Sequence, residues 1–76
     1  MLNSSTLRQI WAILEQTQAQ LILELSDSDL IRQIQKQLET QASLSDSEIN
    51  NANIYLSSRL PLIRDLAQNR LVNAYS

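Results

Sequence analysis

The sequence predicts an all-α chain folded as a small helical bundle, and three observations carry that expectation. The 76 residues include no glycine and one proline, so the positive-φ positions of hairpin turns and bulges lack their usual occupant. Apolar residues recur at 3.6-residue spacing through three stretches that fill most of the chain. A six-residue phrase with the form of a helix start occurs twice.

The first stretch is predicted to be one helix from about Thr6 to Leu25, with residues 1–5 disordered ahead of it. Thr6 and Gln9 have capping-box spacing. Leu7, Ile10, Trp11, Leu14, Leu21, Ile22 and Leu25 share one face. Gln18 interrupts that face between Leu14 and Leu21, either as a polar register device or as an edge residue. Ile13 and Leu23 lie off the face.

The repeated phrase opens the other two stretches. Leu25-Ser26-Asp27-Ser28-Asp29-Leu30 returns as Leu44-Ser45-Asp46-Ser47-Glu48-Ile49. In each, the first Ser is the N-cap and the acid three residues on can reach back to it. Asp29 is shorter than Glu48, so the first box is the weaker one. Leu25 and Leu44 precede the caps, where a hydrophobic staple belongs. Beyond the cap the two alignments diverge, with Ile31 against Asn50 and Leu38 against Ser57. The phrase is a reused cap, not a solenoid repeat.

The second helix is predicted over about 27–41, with Leu30, Ile31, Ile34, Leu38 and Ala42 on its apolar face. The third is predicted over about 46–74. Its face runs Ile49, Ala52, Leu56, Leu60, Ile63, Ala67, Leu71 and Ala74, in phase on both sides of Pro61. A proline inside a helix removes one hydrogen bond and clashes with the carbonyl four residues back, here Ser57. The preserved phase favours one long helix kinked at Pro61. The alternative is a break, with Ser57 or Ser58 capping a second piece.

Several function classes fall away on composition. With no His and no Cys there is no ordinary zinc or copper site, no disulfide and no thiolate chemistry. A serine nucleophile commonly needs a histidine base. Asp27, Asp29, Asp46 and Glu48 lie where helix capping already accounts for them, and the glycine of a calcium loop is missing. The chain is expected to be non-catalytic and to take no cofactor.

Its longest unbroken apolar run, Trp11 to Leu14, is far short of a membrane span. The first residues lack the pattern of a secretion signal. A soluble, cytoplasmic protein with no membrane partner is the expectation.

What remains is apolar excess. Tyr55, Leu62 and Leu66 form a second stripe on the third helix, offset from the first. A lone three-helix unit has one face per helix to bury, and each fully buried Leu is worth about 1.5–3 kcal/mol. The expected function is a protein–protein interaction module: a small helical homodimer acting as adaptor, assembly factor or regulator. Tyr55, Leu62 and Leu66 are the candidate interface residues, with Trp11 and Ile13 secondary.

The alternative is a nucleic-acid-binding regulator using a helix-turn-helix-like segment over 27–60. Asn50, Asn51 and Asn53 then read base edges, supported by Arg59, Arg64 and Arg70 in a last stretch of twenty residues with net charge +2. Against it, the whole chain carries −2, and Asp46 and Glu48 occupy the helix start where phosphate approaches.

Overall fold

The computed structural model describes residues 3–75, with side chains described through Asn73. The described residues form four helices: α1 Ser4–Gln16, α2 Ala19–Glu24, α3 Asp27–Gln41 and α4 Asp46–Tyr75. The fold is all-α. At 1.5 Å per residue, the 30 residues of α4 extend about 45 Å, matching the longest dimension of the molecule, 42 × 21 × 19 Å. The other helices pack along this rod. Both α2 and α3 lie on α4, and α1 lies on α3.

Each start follows from local chemistry. Asn3 caps α1, its Oδ1 accepting from the Thr6 amide at 2.7 Å. The expected cap at Thr6 is therefore corrected by three residues, and Thr6 itself is buried. Of the stretch expected to be disordered, residues 3–5 supply this cap and the first turn; Met1 and Leu2 lie outside the described residues.

Ser26 caps α3 with one bond, accepting from the Asp29 amide at 3.3 Å. At α4 the box is reciprocal. Ser45 Oγ accepts from the Glu48 amide at 3.2 Å, and Glu48 Oε1 accepts from the Ser45 amide at 3.2 Å. The shorter Asp side chain gives half a box and the longer Glu gives a whole one. Leu25 and Leu44 pack against the core beside their caps.

The single helix expected over 6–25 is two. Thr17 and Gln18, both extended, separate α1 from α2. The Thr17 amide is shared between the carbonyls of Ile13 at 3.0 Å and Leu14 at 3.3 Å. Its hydroxyl adds a second bond to the Ile13 carbonyl at 2.7 Å, a back-bond of the kind that bends helices. Gln18 becomes the exposed N-cap residue of α2 rather than a register device.

At Pro61, α4 continues as one helix, as the preserved phase predicts, and the alternative break is not formed. The core is Ile10, Ile13 and Leu14 of α1, Ala19 and Ile22 of α2, Leu30, Ile34 and Leu38 of α3, and Ala52, Leu56, Leu60, Ile63 and Ala67 of α4. The expected faces of α3 and α4 are the observed ones; the side chain of Ala74 lies outside the described residues.

Candidate functional site

A helix end needs partners for its last carbonyls. The usual device is a glycine in the left-handed region just past the helix, and this chain has no glycine. No described residue has positive φ, and α1, α2 and α3 all end on extended residues. Neither α1 nor α2 has a basic residue in its last turn.

The missing caps come from α4. Arg70 Nη1 donates to the Leu14 carbonyl at 3.3 Å, and its Nη2 donates to those of Glu15 at 3.3 Å and Thr17 at 3.0 Å. Arg64 Nη1 donates to the carbonyls of Ile22 at 2.7 Å and Leu23 at 3.5 Å. Its Nη2 donates to the Leu25 carbonyl at 3.0 Å and to Asp27 Oδ1 at 2.7 Å. Each guanidinium thus lies at the negative end of a helix. A planar fork with five donors can span neighbouring carbonyls, which a lysine cannot.

These contacts engage two of the three arginines in the basic last stretch of the sequence. Arg64 and Arg70 are occupied inside the fold. Arg59 lies over the Tyr55 ring, 5.4 Å from its centroid, a cation–π arrangement. Asn53, one of the three asparagines aligned for base reading, is half-buried, and its buried Oδ1 has no partner among the described residues.

The expected interface residues divide into two groups. Leu62 and Leu66 are 47% and 43% exposed, as the offset stripe anticipates. Tyr55 is half-buried, and its hydroxyl accepts from the Trp11 indole Nε1 at 2.9 Å. Trp11 is itself half-buried against the core. Ile13 is a correction: it is fully buried at 0% exposure. The single stripe assigned to α1 covers too little of it, because one flank packs on α3 while Trp11 reaches across to α4. Ile54 and Val72, not singled out by the stripe, are more exposed than either leucine.

Leu66 also borders a groove of about 340 Å³. Its apolar wall is Trp11, Leu14 and Ile22 on one side and Ile63, Leu66 and Ala67 on the other. Glu15, Asn69, Arg70 and Asn73 supply its polar groups. The sequence could not reveal this groove, because it lies between helices that the α1–α2 break brings to α4.

No group of residues suited to holding a metal ion occurs among the described residues, and no described helix is long and apolar enough to cross a membrane. Comparison with family models, curated proteins and solved structures gives no match.

Proposed function

We propose that this chain is a non-catalytic protein–protein interaction module, working as a helical homodimer in the cytoplasm as an adaptor, assembly factor or regulator. The observation that carries the reading is the pair Leu62 and Leu66. They lie one turn apart, nearly half exposed, beside a groove walled by Trp11 and Leu14. Scattered exposed leucines need no explanation. Two on adjacent turns, continuous with an apolar groove, form a patch of the kind that marks interaction sites.

The total surface makes a weaker case. The subunit exposes 5068 Å², against about 4,700 Å² for a monomer of its mass by the usual scaling. Support therefore comes from where the leucines sit, not from how much surface is exposed. A bend at Pro61 belongs to the same reading. The ring withholds the amide that the Ser57 carbonyl accepts in a regular helix, immediately before Leu62.

Sedimentation velocity over a micromolar concentration series tests the proposal. A reversible dimer is expected. A strict monomer across the series contradicts the homodimer.

A further inference from the structure

We propose that the surface through which two copies meet is the exposed strip of α4, laid antiparallel on itself, with Arg59 of each copy paired to Glu15 of the other. This rests on the homodimer reading and adds its surface, its orientation and its charge contacts.

At 3.6 residues per turn, Tyr55, Arg59, Leu62, Leu66, Asn69 and Asn73 fall within a sector of about 80° on α4. The two leucines are at the middle of the strip, and the polar or half-polar residues are towards its ends. A twofold contact presents the same patch from both subunits, so that residue i meets j and j meets i. With the axis passing beside residue 64, Leu62 of one copy lies opposite Leu66 of the other, twice over. Arg59 and Asn69 each stand five positions from that axis, about 7.5 Å along the helix. They too come opposite one another. The result is an apolar centre with a polar rim, the usual anatomy of an interface.

Charge selects the second copy as occupant and fixes its direction. Glu15 lines the same groove as Asn69. An Arg59 arriving opposite Asn69 therefore arrives beside Glu15. Among the described residues, ion pairing is confined to Arg64 and Asp27, so neither Arg59 nor Glu15 has an ionic partner within its own described chain. A parallel pairing instead places Arg59 against Arg59, and like charges in apposition repel. The antiparallel arrangement matches opposite charges twice.

The test is a charge swap read by sedimentation equilibrium on the full chain, with circular dichroism confirming that each variant keeps its helices. Arg59→Glu and Glu15→Arg, each alone, should weaken self-association about tenfold, because each replaces two matched rim pairs by two repulsive ones. The double variant should return to within about threefold of the parent. Leu66→Asp should abolish the dimer while leaving the helical signal in place. A dimer indifferent to all of these overturns this surface and leaves the homodimer standing on another one. A parent chain that stays monomeric overturns both, and a protein of a different kind then covers the strip.

Discussion

The carbonyl of Thr17 accepts a 3.0 Å hydrogen bond from Arg70, 53 residues further along the chain. With its bonds to Leu14 and Glu15, this contact closes the end of α1 from outside the helix. Arg64 does the same for α2. A chain without glycine has exchanged local helix stops for long-range ones, and α4 is the element that provides them.

Removing either arginine should therefore destabilise the fold. Hydrogen bonds to charged groups contribute about 1.5–3 kcal/mol, and solvent screening reduces this at exposed sites. The Arg64 side chain is 26% exposed, whereas Arg70 is an exposed residue. Arg64→Met should cost about 2 kcal/mol and Arg70→Met about 1 kcal/mol. Urea titration at fixed protein concentration measures both. Arg64→Lys should recover little, because a point charge cannot span the same carbonyls.

The two caps should rank by their geometry. Ser45→Ala removes two contacts of one hydroxyl, those with the Glu48 amide and the Glu48 carboxylate, and Ser26→Ala removes a single bond. The first should cost about 1 kcal/mol and the second a few tenths, within the range for N-cap loss. Equal costs would mean that the second contact of the Ser45 hydroxyl, to the Glu48 carboxylate, adds nothing.

Ile13 and Leu62 should separate stability from association. Ile13→Ala opens a cavity in the core and should cost about 2–4 kcal/mol. Leu62→Ala should leave monomer stability within about 0.5 kcal/mol, as for an ordinary surface substitution, while weakening self-association. Thermal unfolding and sedimentation on the same samples distinguish the two effects.

The indole of Trp11 reports on the bond to Tyr55. Tyr55→Phe leaves a part-buried N–H without its acceptor and should cost about 1 kcal/mol. Hydrogen exchange at the single indole N–H, followed by NMR, should accelerate in the variant. Unchanged exchange would show that this bond does not protect it.

Much of the architecture was legible in residue order. Ser26 and Ser45 announce their helices, and the phase from Ile49 to Ala67 survives Pro61 because the helix does. The division of the first helix was hidden, since Thr17 and Gln18 carry no glycine or proline and the residue that closes α1 is Arg70. Ile13 was misplaced for a related reason. Its stripe was drawn for one neighbour, whereas α1 has contacts to both α3 and α4. Leu62 and Leu66 were legible because an offset stripe on a helix with one buried face has nowhere inside the subunit to go.

The most direct measurement is isotope-filtered NMR on an equal mixture of chains with labelled and unlabelled leucine methyl groups. The account predicts intermolecular nuclear Overhauser effects joining Leu62 of one chain to Leu66 of the other. A sample that is dimeric by sedimentation yet shows no such cross-peaks at either leucine would contradict it.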